Sequence, residues 1–195
     1  MTETALRIPL ITEAQRNTGE VRAMFAAMDG VSKLNNENNH ALNTLAQHPA
    51  LATPYLAFNK HLLTTTTLPL RLRQIAILRV GWLQHSRYIW TSHVGVSLRR
   101  GLEPEMFEPI KLGAGSEYWS HPERAVLRAV EQLRDRSDLD DATWAELSSH
   151  LDQRQIMDLL FTVGTYMLLA LTYNAIRMQL EPELLEFAQQ YGSPD

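Results

Sequence analysis

The sequence has 195 residues, with 18 Lys and Arg against 22 Asp and Glu, a formal net charge of −4 and no cysteine. That balance lacks the broad positive field which attracts a nucleic-acid backbone or an anionic membrane surface, so neither is expected as a partner. Without cysteine, disulfides, thiolate nucleophiles, thiol-based peroxide reduction and sulfur-ligated zinc are all excluded. The length suits one domain over 1–195, with an N-terminal extension over 1–34, a core over 35–182 and a C-terminal helix and tail over 183–195. The opening MTETALRIPLITEAQ carries Glu3 and no basic cluster ahead of an apolar run, so no signal peptide is read and a cytoplasmic location is expected.

Apolar residues recur at three- and four-residue spacing almost throughout, and no window alternates as a half-buried strand does, so the fold class is all-α. A first helix is predicted from Glu13 to Met28 and ends at Asp29-Gly30, with glycine suited to the left-handed cap. A polar stretch, Lys33 to Asn39, leads to a short helix at Ala41 to Gln47, and Pro49 opens a longer one to Leu63. Pro69 stands where a helix starts without losing a needed hydrogen bond, and Leu70 to Gln84 follows. After a corner at His85-Ser86-Arg87, the pattern runs from Tyr88 to Arg100 and stops at Gly101. Further helices are predicted from Glu103-Pro104 to Leu112 and from Pro122 to Asp135. Asp138 and Asp140 are natural caps for a helix holding Trp144 and Leu147. Asp152 to Gln179 is read as a central buried helix, and Pro182 to Tyr191 as the last. Inside the former, Leu159 to Ile176 carries no charge and reaches about 27 Å as a helix, marginally enough to span a bilayer. Gly164, three threonines, two tyrosines and Asn174 inside the run argue against a span.

The stretch LPLRLRQIAILRVGWLQHSRYIWTSHVGVSLRRGL, Leu68 to Leu102, is a helix, a sharp corner and a second helix ending in glycine. This block resembles the signature of the carboxymuconolactone decarboxylase and AhpD-like family, and weaker likeness extends from Asn35 to Pro182. The resemblance implies an AhpD-like helical bundle. Redox members carry a glutamate, a Cys-x-x-Cys pair and a histidine four residues after the second cysteine. With that histidine on His93, the cysteines fall at Ile89 and Ser86 and the glutamate at Gln74. Serine has neither the low pKa nor the disulfide chemistry of a peroxidatic thiol. The decarboxylase-type members, which keep a histidine without the cysteine pair, are the better likeness. They imply cofactor-free proton transfer, in which an enolate formed by loss of carbon dioxide is protonated.

On that resemblance His93 is the expected acid/base, since imidazole titrates near neutrality. Helical spacing puts Ile89, Trp90 and Ser97 on its face. The corner is expected to form a pocket floored by Trp82 and Trp90, with Gln74, His85, Ser86 and Tyr88 as further binding groups and Tyr166 on the long apolar helix as another. Each residue also has a plainer reading. His93 suits a core histidine bonded to a carbonyl, His85 and Ser86 a helix corner, Tyr88 and Trp90 packing. Arg71, Arg73 and Arg79 suit ion pairs as well as a substrate carboxylate.

Seven scattered histidines without a His-x-x-His or His-Glu-x-x-His pattern give no metal site, and GAGS at 113–116 lacks the lysine and the preceding strand of a phosphate loop. No cofactor and no metal are expected. The sequence therefore reads first as a cofactor-free lyase, decarboxylase or isomerase for a small cyclic or aromatic-derived carbonyl compound. The second reading is a non-catalytic binding or assembly protein on the same fold. The resemblance also implies a homo-oligomer, a trimer or a hexamer.

Overall fold

The computed structural model describes residues 6–28 and 38–194, and among these it holds eleven α-helices and no strand. They are α1 (Glu13–Arg16), α2 (Gly19–Ala27), α3 (His40–Leu45), α4 (Pro49–Thr64), α5 (Leu70–Leu83), α6 (Arg87–Arg99), α7 (Phe107–Leu112), α8 (His121–Arg136), α9 (Asp141–His150), α10 (Gln153–Ile176) and α11 (Pro182–Tyr191). The sequence reads as one domain, whereas the chain divides into two compact units. The first runs through Thr66 and takes back Ala175–Glu181; the second holds Thr67–Asn174 and the chain from Pro182 onward.

In the first unit, Val21 and Met24 of α2 pack with Leu42, Ala46, Ala52 and Leu56 in one apolar cluster. The single helix predicted from Glu13 to Met28 is two, because local side chains take its carbonyls. Asn17 Nδ2 donates to Glu13 O at 3.1 Å and Thr18 Oγ1 to Gln15 O at 2.8 Å, offering the backbone an alternative to another helical turn. The expected cap at Asp29-Gly30 and most of the polar stretch after it lie outside the described residues. Asn39 Oδ1 accepts from the Leu42 amide at 2.8 Å and starts α3.

The second unit is built around α5. Every residue from Leu72 to Gly81 is buried, and α6, α7 and α8 pack on it. Each large apolar side chain so enclosed contributes about 1.5–3 kcal/mol. Arg79 lies inside this buried run and Arg71 is half-buried just before it. Arg79 donates to Ile110 O at 2.9 Å and Lys111 O at 2.8 Å and pairs with Glu131 at 2.8 Å, so its cation satisfies the last carbonyls of α7 and ties three helices together. Arg71 pairs with Glu103 and Glu123. These contacts give both residues an ion-pairing role.

The helix at the centre of the second unit is thus α5, and the expectation of α10 as a central buried helix is corrected. Ile156, Leu159, Val163, Tyr166, Leu169, Ala170 and Tyr173 of α10 are buried, while Met157, Phe161, Leu168 and Leu171 on its other face are about half exposed. By length and composition α10 is apolar enough to cross a membrane, but half of its most apolar window is buried inside the protein. It stops at Ile176, earlier than predicted, where Arg177 takes a left-handed conformation with φ 58°.

Candidate active site

The α5–α6 corner closes with two bonds that end α5 in a Schellman motif. The Ser86 amide donates to Gly81 O at 2.9 Å and the His85 amide to Trp82 O at 3.2 Å, with His85 at φ 50° in the position that usually favours glycine. Gly81 permits the tight return, because a Cβ there would sit 3.0 Å from the Trp90 backbone nitrogen. At its far end α6 closes the same way, with Gly101 at φ 79° and the Leu102 amide donating to Ser97 O at 3.0 Å.

This reversal lays Gln74 of α5 against His93 of α6. His93 Nδ1 lies 2.9 Å from Gln74 Oε1, and Ser97 Oγ, one turn further along α6, lies 3.4 Å from the same oxygen. An amide oxygen accepts only, so Nδ1 carries the proton and donates, and the Nε2 lone pair remains available. The Tyr166 ring from α10 meets the imidazole edge to face, with centroids 4.9 Å apart. All four residues are enclosed, with exposures of 8% for His93, 1% for Gln74, 0% for Ser97 and 4% for Tyr166.

Enclosure sets the charge state. Burial first, and then the positive fields of Arg73 and Arg99, push His93 down from 6.5 to about 3. The imidazole is therefore neutral at neutral pH. Burial raises the Tyr166 hydroxyl, against the opposing influence of Arg73, so it stays a phenol. Arg73, itself buried, is lowered by burial and then by Arg100, yet a guanidinium remains charged.

Of the residues singled out in the sequence, the structure brings Gln74 and Tyr166 to His93. Trp82 and Trp90 do not floor this group, and that expectation is corrected. Their rings meet each other edge to face at 5.0 Å, Trp90 also meets Phe107, and Trp90 Nε1 donates to Gly192 O at 2.8 Å. The ammonium of Lys111 covers both indoles, at 5.1 and 5.6 Å from their centroids. An indole buried with its N–H satisfied is a packing element. Tyr88 packs on Tyr173, with centroids 5.2 Å apart. His85 is exposed at the corner. Ser86 is buried at the start of α6, and its Oγ meets no hydrogen-bond partner among the described residues. Ser97 and Arg99 join the group without having been singled out as site residues. The i to i+4 step from His93 was the available signal for Ser97. Among the described residues no cluster of three or more His, Asp and Glu is arranged to hold a metal.

The class of protein this defines is an all-helical bundle with a histidine and glutamine facing each other across a helix corner. A scan against family models gives no match, and no curated protein matches the sequence. Solved structures do match over nearly the whole chain. An uncharacterized peroxidase-related protein from Ralstonia eutropha, described as an alkylhydroperoxidase AhpD core, superposes with a TM-score of 0.78 at 16% identity, covering 97% of this chain and 98% of its own. A cysteine-to-alanine variant of the debrominase Bmp8, bound to 2,3,4-tribromopyrrole, gives 0.77 at 15% identity, covering 97% and 99%. A peroxidase-related protein from a Silicibacter species gives 0.72 at 16%, covering 94% and 95%. At these identities the likeness shows the fold, and the chain has the AhpD-like fold.

Proposed function

We propose that this protein is a cofactor-free enzyme of the lyase or isomerase type, in which His93 moves a proton on a small ring-shaped carbonyl compound. The observation that carries this reading is the His93–Gln74 contact at 2.9 Å, which fixes the tautomer and leaves Nε2 as a proton acceptor in a chain that has no thiol. The neutral imidazole is the form a base needs. Negative charge growing on an enolate would meet the positive field of Arg73 and Arg99, which opposes protonation of His93. As that charge develops, the field on the imidazole is offset and its basicity rises, so the proton moves when the carbanion forms. Likeness to a debrominase bound to a brominated pyrrole supports a small flat ring as the ligand class. Burial of all four polar groups favours the second reading, a binding or assembly protein whose site is filled by its own side chains.

One experiment separates the two. The protein is incubated in D2O with a panel of unsaturated lactone acids and cyclic 1,3-dicarbonyl compounds, and deuterium uptake and carbon dioxide release are followed. The enzyme reading expects turnover that falls by about 10²-fold or more in His93→Gln with the fold retained. Exchange equal in the wild type and the variant across the panel would favour the binding reading.

A further inference from the structure

Ser97 reaches the site through Gln74. It is fully buried, and its carbonyl accepts from the Arg100 amide at 3.1 Å and the Leu102 amide at 3.0 Å, so the last turn of α6 pins its backbone. Its hydroxyl stands one helical turn from His93 and lies 3.4 Å from Gln74 Oε1. Among the described residues that oxygen is the one acceptor the hydroxyl meets. A buried hydroxyl proton cannot turn to solvent, so it goes to Gln74.

An amide side chain has nearly the same shape when it is turned over, with oxygen and nitrogen exchanged. Against His93 alone the two arrangements are of similar worth, because a neutral imidazole suits either. With the amide oxygen towards α6, Nδ1 holds the proton and donates it; with the amide nitrogen towards α6, Nδ1 accepts and the proton moves to Nε2. Only the first leaves a lone pair on Nε2. The two differ at Ser97. In the first its hydroxyl donates to Gln74 Oε1, while in the second it would face the amide N–H groups and its own proton would lose its acceptor. An enclosed donor left without a partner is costly, so Ser97 favours the first. Whatever lies on the outer side of the Gln74 amide is common to a protein with and without this hydroxyl, and drops out of the comparison.

We infer that Ser97 is a positioning residue, which holds the Gln74 amide with its oxygen towards α6 and so keeps the His93 proton on Nδ1 and the Nε2 lone pair free. At 3.4 Å the contact is long, but it has only to decide between two arrangements of one shape. His93 is neutral at neutral pH, so its tautomer and not its charge sets whether Nε2 can accept a proton. The consequence for turnover rests on the proton-transfer reading. The tautomer itself does not.

Imidazole nitrogen shifts, read by NMR at neutral pH on isotope-labelled protein, report the tautomer, and the His93 signals are assigned by their loss in His93→Gln. The wild type should show His93 protonated on Nδ1. Ser97→Ala, which removes one oxygen and adds no bulk, should show a second form protonated on Nε2 at about a tenth of the population or more, with its helical circular dichroism retained. Ser97→Thr keeps a hydroxyl and should return the wild-type pattern. In the D2O exchange assay Ser97→Ala should lose turnover in step with the Nδ1-protonated fraction, at unchanged KM. A wild-type His93 protonated on Nε2, a Ser97→Ala spectrum identical with that of the wild type, or a folded Ser97→Thr variant that matches Ser97→Ala overturns the inference. A tautomer that shifts in Ser97→Ala while exchange stays at the wild-type rate upholds the role of Ser97 and counts against His93 as the base.

Discussion

His93 Nδ1 donates to Gln74 Oε1 across the α5–α6 corner at 2.9 Å, and the same oxygen is 3.4 Å from Ser97 Oγ. A neutral amide orients the imidazole without favouring its charged form. A carboxylate in that place would do both. Gln74→Glu should therefore raise the His93 pKa from about 3 by more than about one unit, since an ionised partner at hydrogen-bond distance stabilises imidazolium. NMR titration of the imidazole carbon-bound protons reads this directly, and a midpoint unchanged from wild type would show that the introduced carboxyl group is held protonated or turned away.

The depressed His93 also makes the fold acid-labile in a defined window. Its unfolded pKa is about 6.5 and its folded value is about 3, so between these limits the unfolded chain binds more protons than the native one. Stability then rises with pH across the window, and is lost on acidification from about pH 6.5 towards pH 3. His93→Gln removes this contribution and keeps a hydrogen-bonding side chain. Calorimetric melting curves from pH 7 down to pH 4 should fall more steeply for the wild type than for the variant. Parallel curves would mean that His93 titrates near its ordinary value.

Helix existence was legible in the sequence because apolar periodicity, prolines at first turns and glycine at Gly101 are local signals. The break between α1 and α2 was hidden, since it depends on Asn17 and Thr18 turning their side chains onto the preceding carbonyls. The burial ranking of α5 and α10 was also hidden. Arg71, Arg73 and Arg79 lower the hydropathy of α5, and Arg79 is buried only because α7 and α8 supply carbonyls and Glu131 for it. An uncharged run such as Leu159 to Ile176 looks more central than it is, because a half-exposed apolar face and a face in a core share one composition. At the site, the facing of Gln74 and His93 followed from the corner and helical spacing. The tryptophan floor did not, because the direction of each indole is set by Phe107, Lys111 and the backbone at Gly192, all distant in sequence.

Glu123 joins a helix cap to an ion pair. One oxygen accepts from the Ser120 amide at 2.9 Å and from Ser120 Oγ at 2.6 Å, and the other pairs with Arg71. Burial raises its pKa, but the bonds from Ser120 and Arg71 outweigh that and hold it below the usual carboxylate range. Glu123→Ala removes cap and pair together and should cost about 2 kcal/mol in urea unfolding, whereas Glu123→Gln keeps a cap acceptor and should cost about half as much. Equal losses in the two variants would assign the whole effect to the ion pair.

Gly81 tests whether the corner itself positions the site. A methyl at this residue would stand 3.0 Å from the Trp90 backbone nitrogen, 3.0 Å from Ile89 Cγ2 and 3.4 Å from Trp90 Cα. The Ile89 methyl can turn aside, but the Trp90 backbone belongs to α6, which cannot retreat without carrying His93 away from Gln74. Overpacking of this kind costs about 1–3 kcal/mol, while alanine in place of a helical glycine returns up to about 1 kcal/mol, so strain wins by a modest margin. Gly81→Ala should lower the melting temperature by a few degrees. It should also move the His93 titration, because a longer Nδ1 to Oε1 distance loosens the packing that keeps the imidazole dry. A variant that melts at or above the wild-type temperature, with an unaltered His93 titration, would show that the two helices have slack at the corner and that Gly81 does not set the geometry of the site.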